Sequence, residues 1–342
     1  MADLLELADA GLYCRQGDFY IDPWKPVPRA AITHAHADHA RPGSARYLAA
    51  REGELVLRTR LGPDAVIDTL HYGEPVEHNG VRISFHPAGH ILGSAQVRLE
   101  YKGEVWVVSG DYKVEPDPTC APFEPVPCDV FITESTFGLP IYRWSAQEDV
   151  FADVNAWWRA NRDAGKVSFL YGYALGKSQR LLAGLDPDIG PIYLHGALVK
   201  LTRNYREAGV RLPPTTYTAE APKDTRWNRG IILAPPSAHG STWMRKFGPS
   251  SAAFASGWMR IRGTRRRKAV DRGFVLSDHA DWEGLFGAIR ATGAGRVWVT
   301  HGYVAVLVRH LRDLGIDARP VETQFEGERD DAEGEETIQP SE

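Results

Sequence analysis

The sequence contains few of the features that mark secreted or membrane-embedded chains. Only three of its 342 residues are cysteine, and Cys14, Cys120 and Cys128 do not form a C-x-x-C pair. So few thiols exclude a disulfide framework, and we expect them to be reduced. No run of about eighteen apolar residues occurs, and the N-terminal MADLLELADAG carries acids where a signal peptide has a basic start. We therefore expect a cytoplasmic chain with no membrane partner.

Net charge is low at −4, but it is unevenly distributed. Residues 326–342 hold eight acids and one base, so the rest of the chain carries 39 bases against 36 acids. This tail lacks aromatic residues and periodicity, which predicts disorder. The remaining body is mildly basic, and its length allows two domains or one domain with an insertion.

Short β-branched or aromatic runs alternate with helical patterns along the chain, which predicts the α/β class. The informative residues lie where these runs end. They are His90, Asp111, Glu134, His279 and His301. Loops that follow the carboxyl ends of strands gather at one edge of an α/β domain. We expect the five side chains to lie together, although a single residue of this kind is more often a capping or hydrogen-bonding group.

The segment ITHAHADHARPGS places three histidines and an aspartate within six positions. In a tight turn, His34 and His36 can face one cation while Asp38 and His39 face a neighbouring one. Imidazole and carboxylate are ordinary ligands of Zn²⁺ and tolerate Mn²⁺, and a set without thiolates argues against a closed structural zinc site. The alternative interpretation is a solvated loop with a chance cluster of histidines.

Together these residues resemble the metallo-β-lactamase fold hydrolases, through HAHADH, AGHILGSAQ, SGDY and the late strand that ends at His301. ESTFG, YALGKSQ and SDHADW are similar to the β-CASP nucleases of that superfamily. GDFYIDPW, ITHAHADHARPGS and GWMRIRGTRRR most resemble the bacterial ligase-associated DNA exonucleases. The resemblance implies an αββα sandwich formed by residues 1–140 and 270–325, with an inserted α/β β-CASP cap at 141–269. The tail would occupy 326–342.

The resemblance also implies a ligand set for two divalent metal ions, Zn²⁺ and/or Mn²⁺. His34, His36 and His90 would bind the first ion, Asp38, His39 and His301 the second, and Asp111 would bridge them. Asp22 would steady the metal loop without binding metal. Such a pair activates a bridging water for attack on phosphorus. His279 would be the general acid, oriented by Glu134. The alternative for His279 is a structural hydrogen bond at a strand end.

Two segments suggest contacts with nucleic acid. In GWMRIRGTRRRKAVDRG the basic residues predict phosphate binding, with Trp243 and Trp258 available to stack on unpaired bases. They are Arg260, Arg262, Arg265, Arg266, Arg267 and Lys268. A solvated basic loop, or a partner for the acidic tail, is the alternative. In YALGKSQR, Lys177 at the start of a helix predicts a phosphate contact, but the spacing is not that of a nucleotide-triphosphate loop.

The function we expect is a metal-dependent DNA nuclease, an exonuclease in DNA repair, acting on single strands or ends beside a ligase and a helicase. His301 points towards RNA, since DNA-acting members of one related branch have valine at that position. A ribonuclease of the same architecture is therefore one alternative. The others are a small-molecule ester or lactone hydrolase, which the fold permits, and a binding subunit without activity.

Overall fold

The computed structural model describes residues 3–261 and 270–324. Its chain divides into two compact units. The first contains the residues up to Arg143 and those from Asp278 onward, and the second contains Trp144–Ser277. Arg262, Arg265, Arg266, Arg267 and Lys268 lie outside the described residues, as does the predicted acidic tail 326–342.

The first unit begins with a six-stranded sheet whose spatial order follows the chain. Its strands are β1 Leu5–Ala8, β2 Gly11–Cys14, β3 Phe19–Ile21, β4 Arg29–Ile32, β5 Arg46–Ala50 and β6 Ile67–Leu70. The first three strands are antiparallel, and β3 to β6 are parallel. A 3-10 turn, Arg51–Gly53, and helix α1, Glu54–Leu61, connect β5 to β6.

A second sheet of seven strands has the order β19-β18-β11-β10-β9-β8-β7. Its strands are β7 Pro75–His78, β8 Val81–Pro87, β9 Ala95–Tyr101, β10 Glu104–Val108, β11 Val130–Ser135, β18 Arg296–Gly302 and β19 Asp317–Pro320. Strands β7 to β10 are antiparallel neighbours, and β10, β11, β18 and β19 are parallel. Helices α5, Trp282–Thr292, and α6, Val304–Asp313, flank β18 in the chain.

Alternation along the central strands forms two separate cores. On β10, Trp106 and Val108 join a cluster shared with the first sheet, while Val107 joins a cluster shared with α5 and α6. Strand β11 repeats the pattern, with Ile132 on one face and Phe131 on the other. Successive side chains of a strand point to opposite faces, so each strand contributes to both layers. The predicted αββα sandwich is confirmed.

The second unit contains a six-stranded sheet of order β14-β13-β15-β12-β16-β17, in which every pairing is parallel. Its strands are β12 Val167–Tyr171, β13 Ile192–Leu194, β14 Thr216–Tyr217, β15 Ile231–Ala234, β16 Ser250–Ala255 and β17 Arg272–Phe274. Its helices are α2 Gln147–Asp163, α3 Lys177–Ala183 and α4 Gly196–Glu207. Short 3-10 turns lie at Trp227–Arg229, Pro236–Ala238, Thr242–Phe247 and Gly257–Arg260. All five residues of β12 are buried, as expected of a parallel strand covered on both faces.

Two boundaries differ from the sequence-based expectation. The first part of the sandwich continues to Arg143, where the expectation ended it at 140, and the second part begins at Asp278, where the expectation began it at 270. Strand β17 pairs with β16, with Ala253 opposite Arg272 and Ala255 opposite Phe274. A strand needs a partner for its backbone N–H and C=O groups, and these residues find theirs in the second unit. The chain therefore returns to the first unit at Asp278.

Among the described residues, the helices are all too short or too polar to traverse a lipid bilayer.

Gly93 offers a test of backbone packing in the first unit. It has φ 72°, and a Cβ atom there would lie 2.0 Å from the Cα of Gly53. We expect Gly93→Ala to lower the free energy of unfolding by about 2–4 kcal/mol, because the backbone is both strained and overpacked. Denaturant titration measures the change.

A matched control is Gly287→Ala in α5, where nothing lies within 4 Å of an added Cβ. That change should raise the free energy of unfolding by about 0.5–1 kcal/mol, since helical alanine is preferred over glycine. Equal effects of the two substitutions would contradict the close approach of Gly93 to Gly53.

Candidate metal centre

The histidine-rich loop follows β4 and closes as a tight turn. The backbone N–H groups of His39 and Ala40 both donate to the carbonyl oxygen of His36. Asp22 follows β3 and has φ 44°. Its side chain contacts both the start of this loop and His39. Its carboxylate accepts hydrogen bonds from Thr33 N at 2.8 Å and Thr33 Oγ1 at 2.5 Å, and lies 2.7 Å from His39 Nδ1. The expected contact of Asp22 with the loop is present.

His90 lies in the turn between β8 and β9, and Ser94 shapes that turn. The Ser94 hydroxyl accepts hydrogen bonds from the backbone N–H groups of His90 and Ile91, at 3.0 and 3.1 Å. His90 Nδ1 lies 2.7 Å from the carbonyl oxygen of Asp278. Because that carbonyl can only accept, the hydrogen of the ring is on Nδ1 and the lone pair of Nε2 faces the other histidines.

The same argument applies to three further rings. Each of His34, His39 and His301 has Nδ1 beside an oxygen that acts as acceptor, and these oxygens belong to Thr33, Asp22 and Thr300. The two threonine hydroxyls donate their own protons elsewhere, to Asp22 and to the carbonyl of Thr133. In the neutral form of each ring, the lone pair of Nε2 is therefore directed into the cluster.

Asp111 lies at the centre of the cluster and is 3% exposed. Its Oδ2 atom lies 3.6 Å from His34 Nε2, 3.6 Å from His39 Nε2 and 3.9 Å from His90 Nε2. Its Oδ1 atom lies 3.0 Å from His301 Nε2. One carboxylate thus contacts imidazoles that come from three separate segments of the chain.

Burial and charge act against each other at this centre. Burial, aided by neighbouring imidazoles, holds the pKa of both His34 and His90 well below the usual range. Burial also lowers the pKa of His39, but the carboxylates of Asp111, Asp38 and Asp22 outweigh it and raise that pKa to about 10. Burial disfavours the charged form of Asp111, yet the surrounding imidazoles, His39 first, hold its pKa well below the ordinary value.

The donor atoms form two groups that share Asp111. One contains His34, His36, His90 and Asp111, the other His39, Asp111 and His301, and within each group the ligand atoms lie within 4.8 Å of one another. Asp38 lies beside the second group, with Oδ2 3.7 Å from His39 Nε2 and a side chain that is 21% exposed.

The distances between the ligand nitrogens of the first group fit a cation with tetrahedral coordination. His36 Nδ1 lies 3.1 Å from both His34 Nε2 and His90 Nε2. Two nitrogen ligands that each lie about 2.0–2.1 Å from one Zn²⁺ ion are about 3.3 Å apart in tetrahedral geometry. A set of imidazoles and carboxylate without thiolate also suits Zn²⁺ or Mn²⁺. These groups can therefore hold divalent cations.

Glu134 and His279 form a pair next to this cluster. Both oxygens of Glu134 lie close to His279 Nδ1, at 3.0 and 2.9 Å, and both side chains are 1% exposed. The backbone N–H of Tyr112 donates to Glu134 at 2.8 Å and fixes the carboxylate. His279 packs against His90, with ring centroids 4.6 Å apart. The five strand-end residues predicted to meet do lie together.

Comparisons with known proteins agree with this geometry, although no family model matches the chain. A probable DNA ligase from Opitutus terrae is 32% identical over 312 residues, which cover 90% of this chain and 30% of that protein. Cleavage and polyadenylation specificity factor subunit 3 from Dictyostelium discoideum is 33% identical over 39% of this chain and 18% of that protein. Endoribonuclease YSH1 from Yarrowia lipolytica is 32% identical over 39% of this chain and 17% of its own length.

The chain belongs to the β-CASP family of the metallo-β-lactamase fold. It spans about a third or less of the length of these relatives. A crystal structure of a protein of unknown function from Enterococcus faecalis has the same fold, with a TM-score of 0.58, 12% identity, and coverage of 87% of this chain and 80% of that one.

The phosphate contact predicted for Lys177 in this β-CASP chain is wrong. Lys177 is 0% exposed, and its Nζ atom donates to the carbonyl oxygen of Leu276 at 3.1 Å. Arg180, one turn further along α3, is also buried and donates to the carbonyl oxygen of Ser277. The GKSQR motif thus holds the chain that follows β17, and the ammonium group does not reach solvent.

The predicted nucleic-acid residues that are described differ in exposure. Arg260 ends the 3-10 turn Gly257–Arg260 and is exposed. Trp243 and Trp258 are half-buried. Trp243 packs edge-to-face against Phe169 and Phe247, so part of its indole belongs to the core of the second unit. That packing reduces the ring face available for stacking on a base.

Four residues that orient the histidines were missed at the level of sequence. They are Thr33, Ser94, Asp278 and Thr300. Two of them had a visible signal, because His34 and His301 are each preceded by threonine at the end of a strand. Ser94 and the carbonyl of Asp278 had none, since their contacts depend on how the chain turns.

Asp22→Asn tests how far the loop beneath the histidines controls cation binding. Asparagine keeps the size of the side chain but removes the charge that faces His39 Nδ1. We expect affinity for Zn²⁺ or Mn²⁺ to fall about ten- to hundredfold. Metal-free protein is titrated against a chelating dye, with metal content measured after dialysis.

The control is Asp9→Asn, an exposed carboxylate that pairs with Lys25. It should leave the titration unchanged. Wild-type affinity in the Asp22 variant would mean that its carboxylate does not support the ligands.

Proposed function

We propose that this chain is a divalent-metal-dependent nuclease that hydrolyses phosphodiester bonds in DNA. The proposal rests on the position of the buried Glu134–His279 pair beside the donor cluster that is centred on Asp111. The donor atoms of Asp111, Glu134 and His279 lie within 4.8 Å of one another. A cation site next to a positioned proton donor is a combination that can catalyse phosphodiester hydrolysis.

Two divalent cations, Zn²⁺ and/or Mn²⁺, would be held by the two donor groups. His34, His36 and His90 would bind one cation, His39 and His301 the other, and Asp111 both, with Asp38 reaching the second group. When bound, such a pair supplies an activated water and neutralises charge that develops on the phosphate.

His279 would protonate the leaving oxygen. Its Nδ1 is committed to Glu134, so the proton available to a substrate is the one on Nε2. The carboxylate favours the protonated imidazole, and the Tyr112 N–H keeps that carboxylate in place. Glu134 acts through His279, and its function is to orient and charge the ring.

DNA is the favoured substrate because the similarity to the probable DNA ligase extends over 90% of this chain. In that protein the matching segment occupies 30% of a longer chain. Activities joined in one chain act at high effective concentration on a shared substrate. We therefore propose exonuclease action on single strands or ends in DNA repair, together with a ligase. An association with a helicase and a cytoplasmic location remain predictions from the sequence.

RNA is the second candidate, and two observations favour it. One relative is named an endoribonuclease, with 32% identity over 39% of this chain. In addition, the chain has histidine at position 301, where DNA-acting members of one related branch have valine. The Nε2 atom of His301 lies 3.0 Å from Asp111 in the donor cluster. We favour DNA because the match to the ligase is more than twice as long as the match to the endoribonuclease.

Contacts to the substrate backbone would come from the basic segment around Arg260. Arg260 is exposed, and a cationic side chain there can replace counterions on phosphate. The other members of the proposed set are Arg262, Arg265, Arg266, Arg267 and Lys268. We propose these residues for DNA binding from their charge and sequence alone.

His279→Ala tests the proposed proton donor. We expect turnover to fall about 10²- to 10⁴-fold while both cations are retained, because the imidazole donates a proton and is not among the proposed ligands. Cleavage rates and metal content are measured on the same preparation. His71→Ala, which removes an exposed imidazole beside Glu52, is the control and should change neither quantity. Cleavage at the wild-type rate would exclude His279 from the chemistry.

The substrate is tested with end-labelled DNA and RNA of one sequence, each assayed with Mn²⁺ and with Zn²⁺. We expect DNA to be degraded faster, products to shorten from an end, and a chelator to stop the reaction. Circular single-stranded DNA should resist, since an exonuclease needs an end. Faster cleavage of RNA would assign the chain to the ribonuclease alternative, and cleavage of the circle would identify an endonuclease.

A further inference from the structure

A fully buried lysine lies two residues after Asp111. Lys113 is 0% exposed, although burying an ammonium group is costly unless the surroundings compensate its charge. Its Nζ atom donates to the carbonyl oxygens of Glu115 and Pro116, the latter at 3.3 Å, and lies 4.0 Å from Asp117 Oδ2. A short stretch of chain thus closes around its own cation.

Asp117 extends this closed loop. Its Oδ1 atom accepts hydrogen bonds from Thr119 N at 2.8 Å and Thr119 Oγ1 at 2.6 Å, and its side chain is 2% exposed. The carboxylate therefore fixes the next turn with one oxygen and faces the Lys113 ammonium with the other. Carbonyl oxygens and a carboxylate around one positive charge resemble the environment of a bound cation.

The backbone of Lys113 is packed against the turn that carries His90. Lys113 N donates to the carbonyl oxygen of Ala88 at 3.1 Å. Gly89, with φ 74°, approaches so closely that a Cβ atom there would lie 2.2 Å from the carbonyl oxygen of Lys113. Further along, Glu124 N donates to the carbonyl oxygen of Pro87 at 3.2 Å. Lys113 and the chain that follows it therefore contact residues 87–89, which lead directly to His90.

The preceding residue connects the same loop to the proposed proton donor. Tyr112 N donates to Glu134 Oε1 at 2.8 Å, and the carbonyl oxygen of Tyr112 accepts a hydrogen bond from Ala280 N at 2.7 Å. Asp111, Tyr112 and Lys113 are consecutive in the chain. A change in the direction of the chain at Lys113 would therefore move the shared carboxylate, Glu134 and the segment next to His279.

We infer that Lys113 is a positioning residue, whose buried ammonium organises residues 113–119 and thereby fixes Asp111 and His90 for cation binding. The inference rests on the proposed metal centre. Without the ammonium, two carbonyl oxygens and the Asp117 carboxylate would face one another with no positive charge between them, and the loop would open to hydrate them.

The experiment compares cation binding by metal-free, full-length protein in five variants, each also measured by thermal unfolding. Lys113→Met removes the charge at nearly constant length, Asp117→Asn removes only its carboxylate partner, and the double variant removes both. Lys102→Met changes an exposed lysine. Leu99→Ala opens a cavity in the core cluster that lies between the sheets and supplies a loss of stability without a change in the loop.

We expect Lys113→Met to weaken Zn²⁺ binding about ten- to hundredfold, with a smaller loss for Asp117→Asn. The double variant should bind more tightly than Lys113→Met, because the negative charge that faces the ammonium is removed together with it. Lys102→Met should match wild type, and Leu99→Ala should lower the unfolding temperature while retaining wild-type affinity.

The inference is overturned if Lys113→Met loses no more affinity for Zn²⁺ than Leu99→Ala does at a comparable loss of stability. If Lys113→Met does not fold, wild-type affinity in Asp117→Asn would overturn it as well. Failure of the wild-type chain to bind any divalent cation is a different result, because it rejects the proposed metal centre itself.

Discussion

The centre of this protein depends on one buried carboxylate that is surrounded by imidazoles. Asp111 has two oxygens, and four histidine nitrogens lie between 3.0 and 3.9 Å from them. The charge of a buried carboxylate must be compensated, and the imidazoles supply that compensation as well as the donor atoms of both groups. The three chain segments that contribute them meet only because the two sheets and their connecting turns place them at one edge.

The orientation of the rings is decided by groups that have no chemistry of their own. Two threonine hydroxyls, one carbonyl oxygen and one carboxylate hold the Nδ1 atoms of His34, His301, His90 and His39. Each threonine hydroxyl accepts a hydrogen bond from a ring and donates its own hydrogen to another oxygen. In the neutral form of these four rings, such contacts direct the Nε2 lone pairs into the cluster, which the identities of the donor residues alone do not reveal.

The fold does not depend on most of the individual residues. A structure with 12% identity shares the fold at a TM-score of 0.58, so the sandwich tolerates nearly complete replacement of its residues. The proposed chemistry instead depends on the contacts of a few buried groups, among them the Glu134–His279 pair, whose partners are 145 residues apart in sequence. A fold of this kind supports a site but does not by itself determine its function.

Sequence patterns alone predicted the α/β class, the histidine loop and the residues that end the strands at the centre. These features are local, since strand ends, turn residues and ligand types are properties of short segments. Three features depend on contacts between distant parts of the chain: the burial of Lys177 against Leu276, the pairing of β17 with β16, and the contact of the Asp278 carbonyl with His90 across 188 positions. Burial and pairing are set by what packs against a segment, and distant parts of the chain supply those neighbours.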